Sequence, residues 1–281
     1  MKMMTCTAIA AALVLALPGC NQQEATDANE GAAAEVAAAD LSALNGVWKS
    51  DLASVKWEGK PDEFALKDGN YSCASCIPPL TTPADGQFHP VADRAYYDSM
   101  SVKAVNDKTV EIHRKKGDTE VSSVTMTVSD DGNTLTNKFH DATTPNNPVD
   151  GTGTEKRVGA APAGAHAISG QWQPDQIPEY SESALSNTYK IEGNKVTSTL
   201  NGQTYTAEID GPEVAVGNDI AKTMVKVTRE GANGLRETFS RNGKVVFEGV
   251  TVPSADGNSV TFTGTDPRDG SKITYTANKV G

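Results

Sequence analysis

Two cysteines three positions apart, Cys73 and Cys76, have the type and spacing that point most directly to chemistry in this chain. Such a pair can form a structural disulfide, act as a redox dithiol, ligate a metal or carry a covalent haem. A disulfide needs α-carbons about 4.4–6.8 Å apart, whereas residues three apart along a strand are roughly 10 Å apart. A bond between the two sulfurs therefore requires a turn at Ala74 and Ser75.

The residues that follow the pair discriminate among these chemistries. Haem attachment needs a histidine directly after the second cysteine, and Ile77 stands there, which excludes haem. Redox dithiols usually lie where the start of a helix lowers a thiol pKa, whereas Pro78 and Pro79 favour an extended chain here. We expect a structural disulfide, and a redox pair and a metal site stay open as alternatives.

Metal and catalytic signatures are weak elsewhere. No zinc-ligand spacing links the cysteines to the histidines, so we expect no metal and no cofactor. The sequence contains no nucleophile elbow, HExxH pair, phosphate loop or dinucleotide fingerprint, and we therefore expect a protein that is not an enzyme. The four histidines are His89, His113, His140 and His166.

The segment from Tyr71 to Tyr97 combines both cysteines with several prolines and aromatic residues. Aromatic side chains on a proline-stiffened loop can line the entrance of a preformed apolar pocket. The alternative is that these rings only cap the hydrophobic core. The candidate ligand-binding residues are Phe88, His89, Tyr96 and Tyr97.

The first 19 residues have the order of a secretory leader, with Lys2 followed by an apolar run from Ala8 to Leu17. The run is about half the length that a membrane-spanning helix needs. Its end, Leu17-Pro18-Gly19-Cys20, resembles the lipobox of bacterial lipoproteins, which implies cleavage before Cys20 and lipid attachment to it. The resemblance further implies a protein anchored to the membrane through Cys20, facing the periplasm from the outer membrane.

Residues 20–40 are rich in Ala, Glu, Asp, Asn and Gln and contain no Lys, Arg or aromatic residue. Such a composition buries little apolar area, so we expect a flexible tether between the lipid and the folded part. The whole chain has 25 Lys and Arg against 36 Asp and Glu, a formal net charge of -11. Phosphate backbones need clustered cations, so nucleic acid is not expected as a partner.

An internal repeat organises the rest of the chain. The pattern around Trp48 returns around Trp172, 124 residues later, and two further segments return 125 residues later. Three separated matches, whose offsets differ by only one residue, indicate two homologous halves. The matched segments are 44–48 with 168–172, 84–86 with 209–211, and 129–136 with 254–261.

The repeat and a small-residue seam suggest the domain boundaries. Residues 159–167 contain Gly, Ala and Pro and are typical of a linker. We therefore predict a first domain over residues 41–158 and a second over residues 168–281. Each is long enough to bury a core of its own.

Apolar residues alternate with polar ones within each half, as in the runs 124–128 and 273–277. Period-two alternation predicts half-buried strands, and Asn-Gly or Asp-Gly pairs between them predict tight hairpins. No sustained helical periodicity is present in the folded part. We predict an all-β protein of two tandem antiparallel up-and-down barrels, because closure removes exposed strand edges. An open sandwich remains an alternative.

Each half opens with glycine, any residue and tryptophan, at Gly46 and Trp48 and again at Gly170 and Trp172. This motif resembles the first strand of lipocalin-like domains, and its duplication resembles a class of two-domain bacterial lipoproteins without an assigned activity. The resemblance implies that the tryptophans close the barrels. It also implies that a late cation covers each ring, for which Arg157 is suited, with Lys279 at the comparable position of the second half.

These observations lead to two functional hypotheses. The first is a lipid-anchored, non-catalytic periplasmic protein that binds a small apolar ligand or lipid inside a barrel. The second is an envelope interaction or scaffold protein, in which side chains fill the barrels and the outer surface contacts another envelope protein. The sequence does not separate the two, because small inward residues would leave a cavity and large ones would not.

Overall fold

A computed structural model describes residues 40–280 of the chain. The expected leader, Cys20 and the expected tether up to residue 39 lie outside the described residues. Within them, the all-β prediction and the antiparallel barrel architecture are confirmed. No helix in this part of the chain combines the length and the apolar character needed to cross a bilayer.

The described residues form 21 strands and three short 3₁₀ helices, the latter at Leu41–Leu44, Leu52–Ser54 and Glu182–Ala184. The first twelve strands are β1 (Gly46–Ser50), β2 (Lys56–Glu58), β3 (Asp62–Lys67), β4 (Asn70–Cys73), β5 (Leu80–Pro83), β6 (His89–Pro90), β7 (Ser99–Asn106), β8 (Thr109–Lys116), β9 (Thr119–Val128), β10 (Thr134–Asp141), β11 (Val149–Val158) and β12 (Gly170–Tyr180). The others are β13 (Ser186–Glu192), β14 (Lys195–Leu200), β15 (Gln203–Glu208), β16 (Val214–Ala215), β17 (Met224–Glu230), β18 (Gly234–Arg241), β19 (Lys244–Pro253), β20 (Ser259–Thr265) and β21 (Lys272–Val280).

These strands make two sheets in which each strand pairs with its neighbours in antiparallel fashion. The first sheet has the order β5-β4-β3-β12-β11-β10-β9-β8-β7-β6, and the second has the order β15-β14-β13-β1-β21-β20-β19-β18-β17-β16 with β2 beside β21. Single bridges, Asp85 with Lys103 and Thr204 with Gly217, bring the two edges of each sheet together. Each sheet is therefore a nearly closed barrel.

Three predicted hairpin turns have the geometry that their sequence favours. Asp68-Gly69, Asn201-Gly202 and Asn242-Gly243 all have positive φ angles at both residues. This is the type I′ conformation, whose twist matches that of the flanking strands. The turns make the barrels meanders of consecutive strands.

The two halves exchange their opening strands, which the sequence analysis did not anticipate. Strand β1 pairs with β13 and β21 in the second barrel, and β12 pairs with β3 and β11 in the first barrel. The exchange is symmetric, because Gly46 lies opposite Tyr189 and Gly170 lies opposite Phe64, at matching positions of the repeat.

The predicted domain boundaries are corrected accordingly. The first barrel is formed by the continuous stretch 62–180, and the second combines residues 41–58 with residues 186–280. The short connection 159–169 explains this division, because it turns the chain back so that β12 lies antiparallel to β11, its neighbour in sequence. The repeat showed two homologous units but not which barrel each opening strand completes.

Each exchanged tryptophan closes its new barrel in the same way. Trp48 and Trp172 are 1% and 0% exposed, and their indole N–H groups donate to the carbonyls of Leu44 and Ile168, both at 2.8 Å. The guanidinium of Arg157 lies 3.9 Å from the ring of Trp172. The Arg157 contact that the resemblance implied is thus present, and it covers the tryptophan of the other half.

The glycine of the motif makes room for the cation. Gly46 and Gly170 have φ angles of 138° and 127°, and a Cβ on either would lie 2.8 Å from Lys279 Cε or 2.7 Å from Arg157 Nη1. The ammonium of Lys279 lies 5.1 Å from the Trp48 ring. Glycine is therefore required for the cation to reach the indole.

The barrels meet at the ends opposite to the tryptophans, which we call the open ends. Tyr96 on the β6–β7 connection contacts Arg241, at the end of β18. Asn201 donates to the carbonyl of Asn147, and Asn218 donates to the carbonyl of Pro145. Because these residues lie on open-end loops of both barrels, the barrels are joined open end to open end, and we call this region the junction.

Candidate functional site

The cysteine pair forms the expected disulfide. The α-carbons of Cys73 and Cys76 are 5.4 Å apart, and the chain turns through Ala74 and Ser75 between them. The Ser75 hydroxyl accepts a hydrogen bond from the Glu63 N–H at 3.0 Å, which fixes this turn on β3. The bond lies at the open end of the first barrel and fastens the loop that precedes β5.

The four candidate ligand residues do not form one site. Phe88 is 38% exposed and lies under the Lys115 ammonium at 4.2 Å, and His89 is paired with Asp85 at 2.9 Å. Tyr97, in contrast, is buried, and Tyr96 lies at the junction. The prediction that these rings frame one entrance is therefore corrected, because Phe88 is exposed, Tyr97 lies in the core and Tyr96 contacts Arg241.

The histidines are also dispersed. His113 pairs with Glu120 and His140 with Asp150, both at 2.8 Å, and His166 contacts the carbonyl of Asn106. Among residues 40–280 no three His, Cys, Asp or Glu side chains are grouped so that they can hold a metal ion.

A row of four aromatic side chains, which we call the aromatic ladder, crosses the inner face of the second barrel. It consists of Phe239, Phe247, Phe262 and Tyr275 on the adjacent strands β18 to β21. Successive ring centroids are 6.0, 6.3 and 4.9 Å apart. All four residues are partly exposed, so the ladder keeps some accessible surface near the open end.

Two glycines let the rings lie flat against the barrel wall. A Cβ on Gly264 would lie 2.4 Å from Phe247 Cζ, and a Cβ on Gly249 would lie 3.0 Å from Phe262 Cε2. Either side chain would displace a ring, because real Cβ atoms do not come so close to other atoms. The glycines and the rings therefore form one packed unit.

A buried carboxylate lies one layer below the ladder. Glu237 precedes Phe239 by two residues on β18 and accepts hydrogen bonds from the hydroxyls of Tyr189, at 2.7 Å, and Tyr205. Burial raises the pKa of Glu237, against the lowering effect of the tyrosine hydrogen bonds. Burial also raises the tyrosine pKa values well above their usual range, and the nearby Glu237 charge raises them further.

This cluster belongs to the second barrel alone. At the matching positions of the first barrel, Ile112 takes the place of Glu237 and Phe64 and Leu80 take the places of the tyrosines. Sequence reasoning missed Glu237, although a charged residue at a strand position that faces a core was a usable signal.

A narrow apolar cleft lies beside Gly264, one of the two glycines of the ladder, between β2, β12 and the β20–β21 hairpin. Its volume of about 30 Å³ holds a water molecule, far less than the roughly 300 Å³ or more of ordinary ligand pockets. A larger ligand therefore does not fit this cleft unless its lining residues move. The lining includes Trp57, Gln173, Pro174, Gly264 and Ile273, with Glu58, Lys60 and Lys272 beside them.

The first barrel has its own buried carboxylate, Glu155, which is 1% exposed and accepts a hydrogen bond from the Asn137 amide at 2.7 Å. Burial raises the pKa of Glu155 to about 7, and the negative charge of Asp62 adds to the increase. Above that pH, folding must place an ionised carboxylate in the core, which destabilises the folded state.

We expect Glu155→Gln to change how stability depends on pH. The folded pKa is raised from 4.5 to about 7. The wild-type free energy of unfolding therefore falls as the pH rises through this range and is constant at higher pH. The variant lacks this decrease and is more stable at pH 8 by roughly 3 kcal/mol, with little difference at pH 4. Urea titrations at several pH values measure this, with the exposed Glu63→Gln as control. A constant difference across pH would contradict the prediction.

Comparison of the chain with models of known protein families and with curated proteins gives no match.

Proposed function

We propose that this protein is a lipid-anchored, non-catalytic periplasmic binding protein whose second barrel takes a small apolar ligand or lipid on the aromatic ladder. The observation that carries the proposal is the half-buried state of four adjacent inward-facing rings. Inward positions of a barrel that only packs its own core are expected to be covered, as Val225 and Val227 are at 0% exposure.

The location is part of the proposal and is supported by the sequence. The leader and the Leu17-Pro18-Gly19-Cys20 segment resemble a lipoprotein signal, and the Gly46/Trp48 and Gly170/Trp172 motifs resemble duplicated lipocalin-like lipoproteins. An oxidising compartment agrees with the disulfide between Cys73 and Cys76.

A second candidate function, an envelope scaffold, is favoured by the first barrel. Its inner face is filled by large side chains that are at most 1% exposed, and its open end is covered at the junction. In this alternative the first barrel is a rigid support, and its outer surface contacts another envelope protein. The filled side chains are Met100, Val102, Val110, Ile112, Leu135 and Trp172.

Titration with a neutral apolar dye, N-phenyl-1-naphthylamine, tests the proposal. We expect saturable fluorescence enhancement with wild type and a dissociation constant raised about tenfold or more by Phe262→Leu, because the stacked rings supply most of the contact. Phe88→Leu, which changes an exposed ring of the first barrel, is the matched control and should bind as wild type does.

Two outcomes would overturn the proposal. One is the absence of saturable binding by a wild-type protein that melts cooperatively. The other is equal weakening by Phe262→Leu and Phe88→Leu. The melting temperatures of both variants must be measured beside the titrations, so that loss of folding is not taken for loss of binding.

A further inference from the structure

Arg241 lies at the rim of the aromatic ladder, and no carboxylate among residues 40–280 forms an ion pair with it. It follows Phe239 by two residues on β18, so both side chains are on the inward face of the strand. Its Nε donates to the Thr223 hydroxyl at 2.8 Å, and its Nη2 donates to the Tyr96 hydroxyl at 2.5 Å. Its Nη1 is buried and has no acceptor among residues 40–280.

Arg94, on the same loop as Tyr96, is also buried with an incomplete set of hydrogen bonds. It is 8% exposed, and Nη2 donates to the carbonyl of Pro78 at 2.6 Å. Its Nε and Nη1 are buried and find no acceptor in the described part of the chain. A guanidinium keeps its charge in proteins, so burial without a counter-ion has a cost in free energy.

Other arginines show that the chain usually neutralises or satisfies this group. Arg236, on the outward face of β18, has Glu230 at 2.9 Å and Glu248 at 3.6 Å. Arg157 forms no ion pair within the described part of the chain, but its Nε, Nη1 and Nη2 each donate to a backbone carbonyl. Arg94 and Arg241 are neither neutralised by a described carboxylate nor fully hydrogen-bonded, although the chain has an excess of acidic residues.

Both of these arginines belong to the junction. Tyr96 connects them, since it is two residues from Arg94 and its ring lies 4.7 Å from the Arg241 guanidinium. The aromatic ladder begins beside Arg241, and the carboxylate of Glu237 below it already accepts two tyrosine hydrogen bonds. Although Asp219 and Glu213 bind the neighbouring Thr223 and Ser240, the unsatisfied buried donors at this rim are the N–H groups of the arginines.

We propose that the ligand of the second barrel is an acidic amphiphile, whose anionic head binds at the junction beside Arg241 while its apolar body covers the aromatic ladder. This inference rests on the proposed function and adds the charge of the ligand. The buried N–H groups then gain a charged acceptor, and Arg94 contributes positive potential from the same loop. Carboxylate and phosphate heads share the required chemistry.

Displacement of N-phenyl-1-naphthylamine by three twelve-carbon compounds tests the charge. Dodecanoate and dodecyl phosphate have anionic heads, and dodecanol has the same chain with a neutral head. We expect the two acids to displace the dye from wild type at concentrations at least about tenfold lower than dodecanol, since a hydrogen bond to a charged group supplies this factor. The ratio between the acids distinguishes a carboxylate from a phosphate ligand.

Substitutions test whether Arg241 causes the preference for anionic head groups. Arg241→Gln should bring the acids to the level of dodecanol without changing dodecanol itself, and Arg241→Lys should keep most of the preference. Arg236→Gln, on the same strand but facing outward, is the matched control and should behave as wild type.

The outcomes separate the two proposals. If dodecanol displaces the dye as well as the acids do, or if Arg241→Gln keeps the preference, the anionic head is refuted while apolar binding stands. Both proposals fail if none of the three compounds displaces the dye and if Phe262→Leu does not weaken the binding of the dye.

Discussion

A fragment spanning residues 62–180 will fold into a barrel by itself, whereas a fragment spanning residues 41–158 will not. The first contains all ten strands of the first barrel, including β12 between β3 and β11. The second lacks β12 and carries β1 without the barrel that it completes. This fragment exposes the edges of β3 and β11 and leaves Trp48 without its core. The stabilisation lost is larger than the small net stability of a domain of this size.

Urea unfolding and amide proton dispersion measure this difference. The 62–180 fragment should unfold cooperatively as a monomer, and the 41–158 fragment should aggregate or show no cooperative transition. Both contain Cys73 and Cys76, so the disulfide is matched between them. A cooperative monomeric 41–158 fragment beside an unfolded 62–180 fragment would refute the strand exchange.

Replacement of either closing tryptophan will destabilise the barrel of the opposite half. Trp172→Ala removes a ring that is 0% exposed in the core of the first barrel, and Trp48→Ala does the same in the second. Each should lower the free energy of unfolding by about 3–5 kcal/mol, the usual cost of a large cavity in a core. Each variant also removes the ring that the late cation covers.

Hydrogen exchange shows which barrel is destabilised by each substitution. Trp172→Ala should lower protection in strands between residues 62 and 158, and Trp48→Ala in strands between residues 186 and 280. Trp57→Ala provides the control, because this third tryptophan is only half-buried and its loss should cost less than about 2 kcal/mol. Loss of protection that stays within the half of the replaced tryptophan would contradict the exchanged topology.

The strands and turns could be predicted because they depend on local sequence. Alternating apolar residues determine which face of a strand is buried, and pairs such as Asn201-Gly202 adopt the positive φ angles that a tight hairpin requires. The disulfide followed from spacing and expected compartment. These features do not require knowledge of which strands meet.

The exchange of β1 and β12 could not be predicted in this way. Gly46 and Gly170 occupy equivalent positions of the repeat, so the repeat does not show which barrel either strand completes. The choice depends on the path of the connection 159–169, which places β12 beside β11, and on the connections 59–61 and 181–185, which join the two barrels. Periodicity contains no information on that path.

The candidate site could not be predicted from local sequence either. The four residues predicted to bind a ligand come from the segment richest in prolines and aromatic residues, and only Tyr96 among them reaches the junction. The aromatic ladder is distributed over four strands, and its members are separated by 8 to 15 residues. Only the register of β18 to β21 brings the rings together.

Native mass spectrometry of residues 41–281, purified from a periplasm without refolding, tests the central claim most directly. We predict a bound species that disappears on denaturation, carries an acidic group, and is lost from Phe262→Leu and Arg241→Gln but kept by Arg236→Gln. A bare protein mass from folded wild type, or a bound species that all three variants retain, would contradict the binding of an acidic amphiphile on the aromatic ladder.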